Sequence, residues 1–140
     1  MSTFFRGTRD EGRCEVVMWD LDERPVPLPM RNDIRNHSPD GPNWGYGGSG
    51  PAQLALALLC QVVDRYLAEV LYQWFKAEVV AGWTGDSWFI TRGQIQQWVD
   101  RHLADHPQRA MLAKEREETD QWLATLGENS SPGPTQTGTN

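Results

Sequence analysis

Trp44-Gly45-Tyr46-Gly47-Gly48-Ser49-Gly50-Pro51 runs directly into Ala52-Gln53-Leu54-Ala55-Leu56-Ala57-Leu58-Leu59, and this stretch decides the fold. Proline suits the first turn of a helix, because its missing N–H would have no intrahelical partner there. Ser49 or Gly50 is the expected cap. The Ala/Leu run favours a helix and is apolar on nearly every side, so that helix should be central and covered all round. The side-chain-free backbone between Tyr46 and Pro51 lets the chain reverse sharply into it. If Gly47 needs a positive φ, a β-branched replacement there would unfold the domain; a fold that survives the replacement while binding is lost would mark the turn as functional.

Towards the C-terminus, no Gly or Pro interrupts residues 52–81. A thirty-residue helix is long for a small domain, so a break is expected near Asp64. Beyond it Leu67, Val70, Leu71, Trp74, Phe75 and Val79 share one helical face, with Gly82 as the terminator. Trp83-Thr84-Gly85-Asp86 reads as a turn into a short strand from Ser87 to Ile90. Thr91 followed by Gln94 is a capping box opening a helix striped by Ile95, Trp98, Val99, His102 and Leu103, which should end before Pro107. A last helix, about 108–126, is polar through Lys114-Glu115-Arg116-Glu117-Glu118 and should pack loosely. Residues 127–140 have the composition of a disordered tail.

Towards the N-terminus, Thr3 to Thr8 and Arg13 to Trp19 read as a hairpin around Arg9-Asp10-Glu11-Gly12. Glu15, Val17 and Trp19 alternate with Cys14, Val16 and Met18, so neither face is cleanly polar. A sheet with one covered face fits best. Val26-Pro27-Leu28-Pro29-Met30 is an expected edge strand, since its prolines cannot donate to a central ladder. Residues 36–43 are loop chemistry. The fold expected is α+β: a small antiparallel sheet packed on a central buried helix with two or three further helices. It should form one domain over residues 1–126.

Thirteen basic residues face nineteen acidic ones, for a net charge of −6. The imbalance is even: six against eight in residues 1–50, four against six in 51–106, three against five in 107–140. No segment is basic, which argues against direct nucleic-acid binding. The longest apolar run, Leu54 to Cys60, is far below the ~20 residues that span a bilayer. No basic-plus-apolar leader is visible, so a cytoplasmic location is expected. Cys14 and Cys60 fit no metal spacing and are expected to be free thiols.

Gly45-x-Gly47-x-x-Gly50 matches the dinucleotide fingerprint by letter but follows a Pro/Asn/Asp loop instead of a buried strand. A structural turn is the plainer reading. The alternative is a phosphate or nucleotide held by Gly45, Gly47, Gly48, Ser49 and Gly50 at the helix start. His102 and His106, four apart, lack a third ligand, so no metal is expected. Cys14 or Ser49 as a nucleophile would need His37 in reach. Asp20, Asp22 and Glu23 sit in a turn as solvated carboxylates. No catalytic set emerges, and neither enzyme activity nor a cofactor is expected. Trp74 and Trp98 read as core. Trp44, Tyr46, Trp83 and Trp88 lie in or beside loops, where aromatics often anchor a protein partner.

The segment Asn36-His37-Ser38-Pro39 followed by Trp44 to Leu59 resembles the signature of an uncharacterised family of small bacterial, plasmid and phage proteins. Phe75-Lys76, Val79-Val80-Ala81, Trp88-Phe89-Ile90-Thr91, Ile95 and Trp98 extend the similarity over about residues 3–104. The final helix and tail lie outside it, and Pro42 stands where a larger apolar residue is expected. The resemblance transfers no activity. It implies two helices after the glycines, and a setting among accessory proteins of mobile elements, which include inhibitors of host defence. The function expected is therefore a non-catalytic accessory or inhibitory protein docking on a protein target.

Overall fold

A computed structural model describes residues 3–130. The strands are β1 (Thr3–Asp10), β2 (Arg13–Asp20), β3 (Val26–Pro27) and β4 (Ser87–Thr91). They form one antiparallel sheet in the order β3-β2-β1-β4. The helices are α1 (Ser49–Cys60), α2 (Arg65–Glu78), α3 (Arg92–Asp105) and α4 (Gln108–Ser130), with a 3-10 turn at Val80–Gly82. The architecture is α+β, as the sequence pattern implies.

The hairpin turn is tighter than the expected four residues. Asp10 pairs with Arg13, and the two residues between them, Glu11 and Gly12, have φ of +50° and +79°. That is the type I′ geometry whose twist matches the flanking strands. Pro27 does lie on an edge strand, but the strand is only Val26–Pro27 and not the expected 26–30; beyond it the Leu28 N–H still donates to the Val16 carbonyl at 3.0 Å.

Helix α1 is central. Every residue from Gly50 to Leu59 is buried. Its leucines and alanines join Phe5, Val16, Trp88 and Ile90 of the sheet, Ala68, Leu71 and Phe75 of α2, and Ile95, Trp98 and Val99 of α3 in one core. The cap falls one residue earlier than expected: Gly48 is the N-cap and accepts from Ala52 N–H at 3.1 Å, while neither Ser49 nor any other side chain caps the helix. The break before α2 is where the sequence puts it. The Asp64 carboxylate accepts from the backbone N–H of Tyr66 and Leu67 at 2.9 and 3.0 Å, capping α2. Helix α2 ends at Glu78, and Gly82 closes only the 3-10 turn after it. Thr91 and Gln94 form the expected reciprocal capping box at the start of α3.

Trp98 is core, but Trp74 is 39% exposed on α2, contrary to its expected burial. Helix α4 continues to Ser130, past the expected end near 126. Residues 131–140, the rest of the expected tail, lie outside the described residues. No described helix is long and apolar enough to cross a membrane.

Candidate functional site

The glycine turn is held by side chains from distant strands. Arg9, at the end of β1, donates from Nη1 to Asn43 Oδ1 at 2.7 Å and to the Trp44 carbonyl at 3.4 Å. Its Nη2 donates to the Gly85 carbonyl, and Nε pairs with Asp86. The guanidinium carbon lies 4.9 Å from the centre of the Trp44 ring, and Trp44 Nε1 donates to the Gly85 carbonyl. One cation thus ties the turn before α1 to the turn before β4.

Gln53 is the second pin, a polar side chain with no exposed surface in the otherwise apolar α1. Its Oε1 accepts from the His37 and Ser38 backbone N–H groups, and its Nε2 donates to the Met30 carbonyl at 2.6 Å. A buried amide satisfied three times fixes the 30–38 loop on the helix. The signal was one glutamine among leucines and alanines, and it passed unread.

The φ requirement lies at Gly45, not Gly47. Gly45 has φ +88°, and a Cβ there would sit 2.7 Å from the Trp83 carbonyl oxygen. Gly47 has ordinary φ and open space beside its Cα. The Gly45 N–H donates to the Val80 carbonyl, so it is turned inward. The Gly47 carbonyl accepts from Lys76 Nζ at 3.4 Å. Ser49 and Gly50 reach a polar cleft of about 440 Å³ shared with Arg13, Cys14, Asp40 and Tyr46. Of the five residues in the alternative ligand site, Ser49 and Gly50 line this cleft, while Gly45 is committed to the fold.

No nucleophile–histidine pair forms here. The Cys14 thiol points to Asn43 Oδ1 at 3.6 Å, whereas His37 Nε2 is 2.6 Å from the Tyr72 hydroxyl. Cys14 and Cys60 are free thiols, and burial pushes the Cys60 thiol up. Among the described residues no three His, Cys, Asp or Glu side chains converge as a metal site. His102 and His106 are neighbours, with ring centres 4.8 Å apart, but His102 Nε2 faces Arg109 Nη1.

Two of the loop aromatics expected as partner anchors are buried in the fold. Trp44 is 1% exposed and Trp88 is 7%. Trp88 stacks on Trp83 with ring centres 4.3 Å apart, meets Trp44 edge-on, and covers Gly7 so closely that a Cβ there would fall 2.3 Å from its indole. Glycine in the middle of β1 therefore makes room for a ring. Tyr46 is exposed and Trp83 half-buried.

A different aromatic group faces outward. Phe5, Gly7, Val16, Trp88 and Ile90 lie on the covered face of the sheet, and strand alternation puts Phe4, Arg6, Val17, Trp19 and Phe89 on the other. Phe4 lies 5.7 Å from Trp19 and 5.6 Å from Phe89, and Trp19 lies 6.3 Å from Phe89, centre to centre. Phe89 is 55% exposed, and no outward residue of β1, β2 or β4 is buried. Arg6, exposed, pairs in register with both Val17 and Phe89. The alternation of Phe4 with Phe5, and of Trp88 with Phe89, carried this information once Gly7 is taken to mark the inner face.

These features define a small α+β module: an open antiparallel sheet, helices on one face, aromatic rings on the other. Its chain belongs to DUF6166, a family of unknown function whose model matches residues 5–101. Helix α4 lies beyond the matched region. No curated protein and no solved structure matches the chain.

Proposed function

We propose that this protein is a non-catalytic binding module that docks on a protein target through the uncovered face of its sheet. The observation that carries the reading is the Phe4–Trp19–Phe89 cluster, three rings in mutual contact on a face where no outward residue of β1, β2 or β4 is buried. Aromatic rings with an adjacent arginine are the side chains that dominate protein interfaces. In this reading Trp44 and Trp88 support the surface from within, and Tyr46 and Trp83 lie apart from it. The sequence resemblance to small bacterial, plasmid and phage proteins supports a cytoplasmic accessory or inhibitory role for a mobile element, including anti-defence activity.

The test is affinity capture from the natural host with wild-type protein, Phe89→Ser and Trp122→Ser. A stoichiometric protein recovered by wild type and Trp122→Ser but lost with Phe89→Ser supports the reading. No stoichiometric protein, or equal recovery with Phe89→Ser, overturns it.

The cleft at the start of α1 favours a second reading, a small phosphate-bearing ligand. Arg13, the Ser49 hydroxyl and the helix N-terminus point that way, while Asp40 opposes it. Inorganic phosphate or a nucleotide at 100 times its Kd would stabilise the fold by about 2.7 kcal/mol. No thermal shift across a nucleotide panel removes this reading.

A further inference from the structure

Helix α4 is held by little. Among its described side chains only Ala113 is buried. It follows α3 through His106 and Pro107, and it packs mainly along α2. At its first turn Arg109 lies over the Trp74 ring of α2, 3.5 Å from the ring centre, and its Nη1 meets Nε2 of His102 on α3. His102 is buried and stacks on Trp98 with ring centres 4.7 Å apart, and Trp98 Nε1 donates to Glu78 at 2.9 Å. Farther along α4, the Asp120 carboxylate acts on Tyr66 of α2 and raises the Tyr66 pKa.

A guanidinium only donates, so His102 Nε2 must be the acceptor, with the imidazole proton on Nδ1. We propose that His102 and Arg109 form a proton-released clasp: protonating His102 breaks its bond to Arg109, sets two cations together, and loosens α4 from α2 and α3. Every charged neighbour enters the balance. Glu78 of α2 and Asp105 of α3 favour the imidazolium. Burial comes first on the other side, followed by Arg109 of α4 and then His106, and the result is a lowered His102 pKa. The docked state therefore prefers neutral imidazole. The clasp is intact above the ordinary histidine range and is lost as pH falls below it.

The test is hydrogen exchange of full-length protein between pH 7.5 and 5, corrected for intrinsic exchange chemistry, with α1 as internal reference. Wild-type α4 should lose protection by about tenfold for each pH unit below the ordinary imidazole value, until the docked histidine itself protonates. His102→Gln, whose amide oxygen accepts from Arg109 without titrating, should remove this dependence. An unchanging wild type, or an equal loss in His102→Gln, overturns the clasp. Should His102→Gln fail to fold, the same question is put to wild type and Arg109→Gln by imidazole NMR titration. The clasp requires wild-type His102 to titrate below the ordinary value and to move up in Arg109→Gln. Titration at or above the ordinary value, or no movement in the variant, overturns it.

Discussion

The two faces of the sheet are built from alternate residues of the same strands and meet opposite fates. Inward, Phe5, Val16, Trp88 and Ile90 pack on the helices, and Gly7 gives up its side chain to seat an indole. Outward, Phe4, Trp19 and Phe89 pack on one another and stay in contact with water. Apolar content alone does not separate them, since both faces are rich in rings. What separates them is coverage: the inner rings are packed under the helices, and the outer ones stay exposed or half-exposed on the face proposed to dock a partner.

The difference should be largest at Phe5. Phe5→Ala removes a fully buried ring and is expected to cost about 3–5 kcal/mol, read by urea denaturation. Gln53→Leu tests the polar pin beneath the same core. It strips partners from two N–H groups and one carbonyl, with an expected loss of about 1–3 kcal/mol. Gly45→Ala forces a side chain into the left-handed region against the Trp83 carbonyl, and a loss of at least ~1–2 kcal/mol is expected. Gly47→Ala meets open space and should change the melting temperature little. Equal effects at the two glycines would refute the assignment of the turn's constraint. The smallest stability effect belongs to the outer face: Phe89→Ser should cost about 1 kcal/mol or less, the worth of a surface aromatic contact. A loss as large as that of Phe5→Ala would show that the outer rings belong to a core.

Much of this fold was readable wherever one residue has one physical meaning. Pro27 demanded an edge strand, the length of the 52–81 run a break near Asp64, and Thr91 with Gln94 a capping box. The unbroken Ala/Leu run demanded a central position. The candidate surface was not readable in the same way. Loop position suggested that Trp44 and Trp88 face water, but Arg9 reaches back across 35 residues to fold the Trp44 loop against the 83–86 turn, a contact no local pattern contains. Trp88 and Phe89 are adjacent in sequence and differ only in which face they take. That choice depends on β1, whose Gly7 opens the inner side. Trp74 stays partly exposed because Arg109, not the core, covers its ring.

The role assigned to the outer face is tested most directly by hydroxyl-radical footprinting of the protein alone and bound to the partner recovered from its host. Oxidation of Phe89 and Trp19 should be fast in the free protein and suppressed in the complex, with Tyr46 unchanged. Suppression at Tyr46 and the cleft before α1, with Phe89 still oxidised at its free rate, would contradict the assignment.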